Sequence, residues 1–150
     1  MNYIGIDPGV GGGLAVVSGG GAALAIKMPE TKRDVCDWLR LASGSVCGPD
    51  AIATLEFVRS SPQMGVTSAF TFGRGYGNLE MALVACGIPF DEVTPRKWQQ
   101  AMRCLTGGDK NVSKARAQEL FPDMKVTHYT SDALLLAEYC RRLHTGMLAW

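Results

Sequence analysis

The chain predicts an α/β layer fold: a mixed five-stranded sheet, its first three strands antiparallel, with helices on both faces. Two observations carry this. Short apolar runs of strand length come first, separated by glycine turns, and helix-length amphipathic segments then alternate with the remaining strands. The order is three strands, a helix, a strand, a helix, a strand, and then helices. It requires hairpins early in the chain and helical crossovers later.

Residues 3–7 form a continuous apolar strand, and 13–18 a second one after a glycine turn. Gly19, Gly20 and Gly21 turn the chain into a third strand near 22–27. Thr31 caps a helix over 32–42, with Val35, Trp38, Leu39 and Leu41 on its apolar stripe. The run AIATLEF, 51–57, is a buried strand. A long helix runs from about 67 to 86 despite Gly73, Gly75 and Gly77, and Gly87 stops it before a short strand at 89–93. Residues 94–103 form a short helix with Pro95 in its first turn. GGDKN is a loop, 112–121 a helix ending before Pro122, and 130–143 a last amphipathic helix.

The length of 150 residues suits a single domain spanning 1–150, with enough chain to bury a core. No apolar run reaches the roughly 20 residues of a membrane-spanning helix, and no secretion signal is recognisable. Cys36, Cys47, Cys86, Cys104 and Cys140 are odd in number and contain no Cys-x-x-Cys pair. Neither a zinc site nor a disulfide framework is indicated, so a cytoplasmic location is expected. The charge is unevenly distributed. Residues 1–92 carry six Lys/Arg against nine Asp/Glu, net −3, whereas 93–125 carry seven against three, net +4. An acidic body with one basic segment suits a protein that gathers cations in one place and a polyanion beside it; a solvated surface with chance clustering is the plainer account.

Asp7 ends the first strand and Glu56 stands at the end of the fourth. If the helical crossover leaves that strand parallel to the first, both acids reach the same sheet edge, where open α/β sheets place their sites. Asp132 and His128 precede the apolar run ALLLAEYC, at the entrance to the last helix. Packed across the sheet, that helix brings its first turn to the two acids. Crowded carboxylates need protons or cations, and Mg²⁺ favours one or two of them together with phosphate oxygens. Asp7 is then the central metal ligand, with glycines beyond it making room for a phosphate. Each acid also has a structural alternative: Asp7 as a turn residue, Glu56 as a solvated strand end, and Asp132 as a helix cap.

At these residues the chain resembles the RuvC family of Holliday-junction resolvases, within the RNase H-like superfamily. YIGIDPG looks like that family's first catalytic motif, LEFV like the strand bearing its glutamate, and SDALLLAEY like its last motif. GVTSAFTFGRGYGNLEMAL followed by VTPRKWQ is similar to small resolvases of phages and bacterial genomes, and the likeness extends from Tyr3 to about Arg142. The resemblance implies a homodimer that grips a four-way DNA junction and makes paired symmetric nicks with Mg²⁺ or Mn²⁺. Asp7, Glu56 and Asp132 match the family's acidic ligands. Where the family places an acid or histidine three or four residues before the last aspartate, this chain has Tyr129 and His128, and His128 is the candidate fourth ligand.

Phosphate contact calls for Lys, Arg and backbone amides. Arg59, Arg74, Lys97, Lys110 and Lys114 are the candidate DNA-binding residues, with Arg96 and Arg116 behind them. Arg59 lies in a loop, RSSPQMG, that offers no aromatic after the glutamate strand. Phe70, Phe72 and Tyr76 are expected in the core or a dimer interface, the helix at about 67–86 being the dimer surface, and Trp98 is expected to pack the short helix onto the body. The alternatives are a nucleotide-binding fold of the actin and sugar-kinase kind, whose two lobes 150 residues hardly supply, a junction- or RNA-binding module without cleavage, and a nuclease acting on flaps, forks or structured RNA.

Overall fold

A computed structural model describes residues 1–44 and 50–148; Cys47 lies outside them. Five strands form one sheet: β1 (Asn2–Asp7), β2 (Gly13–Ser18), β3 (Ala23–Lys27), β4 (Ala51–Glu56) and β5 (Phe90–Val93). The helices are α1 (Lys32–Ser43), α2 (Val66–Ala85), α3 (Pro95–Ala101), α4 (Lys110–Leu120) and α5 (Ser131–His144). The strand order is β3-β2-β1-β4-β5. β1–β2 and β2–β3 are antiparallel, and β1–β4 and β4–β5 are parallel. The mixed sheet is therefore the one the sequence predicts.

The period-two alternation of the strands divides the core into two layers. On one face Ile4, Ile6, Leu14, Ala53 and Leu55 pack with Val35 and Leu39 of α1 and Leu79 and Leu83 of α2. On the other, Ala15, Val17 and Val93 pack with Trp98 of α3, Ala117 of α4 and the wholly buried run Ala133–Ala137 of α5. Helices thus cover both faces. α5 lies directly on β1, because Gly5 has no side chain: a Cβ there would collide with Ala133 O and Ala137 N. Every residue from Ser131 to Cys140 is buried, which explains the unbroken apolar run ALLLA.

One helix start and one strand end differ from expectation in ways that bear on the site. α4 starts at Lys110 rather than 112, because the Asp109 side chain accepts from Asn111 N and caps the helix inside what reads as a loop. β4 stops at Glu56, so Phe57, expected as the last residue of the strand, is the first residue of the loop. The Arg59 guanidinium lies 5.1 Å from the Phe57 ring centre. That loop does begin with an aromatic, contrary to the expectation that it had none.

Candidate active site

Asp7, Glu56 and Asp132 come together at one end of the sheet. Along β1, Ile4 and Ile6 point to the α1/α2 layer, so Gly5 and Asp7 point to the α5 layer. Along β4, Ala53 and Leu55 face α1 and α2, leaving Thr54 and Glu56 toward α5. The parallel pairing of β1 and β4 matches Ile6 with Leu55 and brings both carboxylates to the same edge. Asp132 lies in the first turn of α5, which the close approach at Gly5 holds on that face. All three acids are buried, at 7%, 8% and 9% exposure, so their charges act on one another with little water between.

The electrostatics follow from that crowding. Burial, then Glu56 and Asp132, push the Asp7 carboxyl from 3.8 up to about 8, against the opposing pull of Lys110. Burial likewise raises Glu56, opposed first by a hydrogen bond from Trp98. That bond runs from the indole Nε1 to Glu56 Oε1 at 2.8 Å. Asp7 Oδ2 is buried without a hydrogen-bond partner. A Cβ at Gly12 would stand 2.9 Å from the Asp7 carboxyl carbon, so the glycine turn after β1 gives the acid its room. An orphaned buried carboxylate oxygen beside two more acids is a donor set suited to a hard divalent cation. Among the described residues no group of three or more His, Cys, Asp and Glu is placed to hold a metal ion by itself. The acids are of the chemical kind that Mg²⁺ takes when water or phosphate oxygens complete its shell.

The remaining candidates distribute unevenly. Lys110, expected on DNA phosphate, stands at the acids, its Nζ 3.9 Å from Asp132 Oδ2. The signal for this was present in the sequence: Asp109 can cap a helix, which makes Lys110 its first residue. His128 is exposed, on the turn before α5, and makes no hydrogen bond or ion pair among the described residues. Neighbouring Tyr129 receives the Lys27 ammonium 4.8 Å from its ring centre. Lys97 and Lys114 belong to α3 and α4, on the α5 side of the sheet, as the acids do. Arg74 lies on α2 across the sheet, exposed, 5.7 Å from the Phe70 ring centre. Sequence reasoning missed the Trp98 contact. Its available signal was chemical, since a buried indole N–H needs an acceptor.

Apart from the acids, an open apolar groove of about 800 Å³ runs between α1 and α2, lined by Val35, Phe72, Leu79 and Ala82 among others. Phe70 is 65% exposed, so it belongs to the surface of α2 rather than the core. Tyr76 donates its hydroxyl to Glu92, tying α2 to β5. No helix among the described residues is long and apolar enough to cross a membrane.

The architecture is a mixed five-stranded α/β sheet covered by helices on both faces, with acids at the edge where β1 and β4 end. No family model and no curated protein matches the chain. Solved structures do, and the fold they share with it is that of RuvC. The T. thermophilus RuvC in complex with Holliday junction substrate aligns at a TM-score of 0.65 and 18% identity, over 97% of this chain and 96% of that one. A second Thermus thermophilus RuvC structure aligns at 0.60 and 19% identity, over 97% of each.

Proposed function

We propose that this chain is a divalent-metal-dependent endonuclease that resolves four-way DNA junctions by paired symmetric nicks, working as a homodimer of one-domain subunits in the cytoplasm. One observation carries the reading: three buried carboxylates from β1, β4 and α5 meet on a RuvC fold, with Asp7 Oδ2 left unpartnered. Asp7 and Glu56, with Asp132, hold the cation, Mg²⁺ by preference and Mn²⁺ as a substitute. When bound, it supplies an activated water and offsets the charge that develops on the phosphate.

The chain's own residues do the rest. Burial makes a charged Asp7 costly alone and therefore receptive to a cation. Lys110 sets an ammonium beside the acids, where the DNA phosphate must sit. Lys97 and Lys114, on the same side, track the backbone leading to it, while Arg59 reaches out from the loop after β4. Arg74 lies on α2, whose exposed Val66, Phe70, Met81 and Val84 form the surface for a second subunit. His128, exposed on the turn before α5, is the remaining candidate for a fourth ligand, and His128→Ala is expected to lower turnover.

The test offers a mobile four-way junction, a fork and a linear duplex with Mg²⁺, Mn²⁺ or a chelator. Symmetric nicks confined to the junction, absent with chelator and with Asp7→Asn although the junction is still bound, are expected. Cleavage by Asp7→Asn at the natural rate overturns the assignment of the acids. Cutting of the fork in preference to the junction overturns the assignment of the substrate.

A further inference from the structure

The second contact of Glu56 comes from a side chain with no reason to be polar. Trp98 is completely buried, among Val93, Met102, Ala117 and Leu135. A phenyl ring or an aliphatic chain would serve a purely apolar position, and would not bring an N–H into it. The indole carries one donor and no acceptor, and burying that donor is costly unless something receives it. What receives it is the Glu56 carboxylate, at 2.8 Å. Hydrogen bonds to an ionised acceptor are among the stronger ones.

The backbone makes this contact difficult to avoid. Val93 pairs with Glu56 across the sheet, and Phe57 N donates to Val93 O at 2.7 Å. The chain leaves β5 there, and Trp98 N bonds Thr94 O within the first turn of α3. The strand neighbouring Glu56 therefore leads directly into the helix that carries its hydrogen-bond donor. The pairing fixes where α3 begins, and complete burial of the ring holds its N–H against the carboxylate.

We propose that Trp98 is a positioning residue: its indole N–H pins one oxygen of Glu56 and so fixes the angle at which the carboxylate meets Asp7 and a divalent cation. The inference rests on the metal-dependent reading above. It assigns to the buried indole a part in metal affinity, beyond filling the core. A glutamate has three rotatable bonds, and a carboxylate free to turn loses both the angle and the shared donor that make it a good ligand. Removing such outer partners typically weakens metal binding by about 10–100-fold.

Two measurements test it without relying on cleavage. In a chain carrying Trp38→Phe and Trp150→Phe, Trp98 is the one tryptophan, excited selectively at the red edge where tyrosine does not absorb. Its fluorescence should change saturably as Mg²⁺ is added, and Glu56→Ala should abolish the change. In the second, Trp98 is replaced by benzothienylalanine, which keeps the shape and exchanges the N–H for sulfur, and free Mn²⁺ is counted by electron spin resonance. Binding about tenfold weaker, with the unfolding midpoint unchanged, is expected; binding within about twofold of the natural chain overturns the proposal. If the isostere does not fold, the emission arm decides, and an emission blind to Mg²⁺ in a chain that binds it overturns the proposal equally. If the natural chain binds neither ion, the metal-dependent reading itself fails and takes this one with it.

Discussion

Asp7→Asn should make the metal-free protein more stable at neutral pH while removing its proposed activity. In the folded chain the Asp7 carboxyl holds its proton up to about 8, whereas in the unfolded chain it releases it near 3.8. The folded state therefore binds the extra proton between those values, and the stability this group contributes below pH 4 is lost as the pH rises toward 8. At about 1.4 kcal/mol per pH unit, the loss reaches a ceiling of about 4 kcal/mol at pH 7. Asparagine has no charge to desolvate, but its buried amide needs partners, which returns about 1–2 kcal/mol of that. A net gain of about 2 kcal/mol remains, or roughly 4–8 °C in melting temperature for a domain of this size. The assay is thermal unfolding of both proteins in chelator from pH 4 to pH 8. The variant should start about 1–2 kcal/mol below the natural chain near pH 4, cross it near pH 5 and stand above it at pH 7. Parallel curves across that range would refute the account of Asp7 as an acid strained by its site.

Two further perturbations address the frame that holds the acids. Gly5→Ala puts a methyl group into the backbone of α5 at Ala133 and Ala137, and should cost about 3 kcal/mol or more in urea unfolding. Glu138 is buried and receives Arg141 Nε and Arg142 Nε, each at 2.7 Å, with its carboxyl held below the usual range by the two guanidinium groups despite burial. Its contribution is present above about pH 4.5 and fades as the pH falls below that. Glu138→Gln should therefore cost about 2 kcal/mol at pH 7, less than for a fully buried pair because both arginines keep some solvent, and clearly less at pH 3.

Much of the sheet was legible because its strands are buried on both faces and read as unbroken apolar runs, while glycines mark the turns. The acids were legible for a related reason: a carboxylate at the end of such a run stands out against it. What the linear pattern does not carry is the direction of a side chain at an element's end. Lys110 reads as one more cation of a basic segment, and only the cap at Asp109 turns it toward Asp132. Trp98 reads as bulk, because periodicity registers its ring and not its N–H. Phe70 has the spacing of a buried residue, yet α2 presents apolar groups on more than the side that meets the sheet, so spacing alone could not say which are covered. Phe57 was misplaced by one residue of strand end, which was enough to move an aromatic from the sheet to a loop.

The direct seating of α5 on β1 has a consequence for how the molecule comes into being. Asp7 is made well before Asp132, and the two meet only once everything between them has been synthesised and β4 has found its place alongside β1. Contacts so distant along the chain form slowly. A nascent or nicked polypeptide lacking its last helix would therefore hold two of the three acids on an uncovered sheet face, without the third that the proposed chemistry requires. On the proposed reading, the site gains its full set of acids only when α5 has docked on β1.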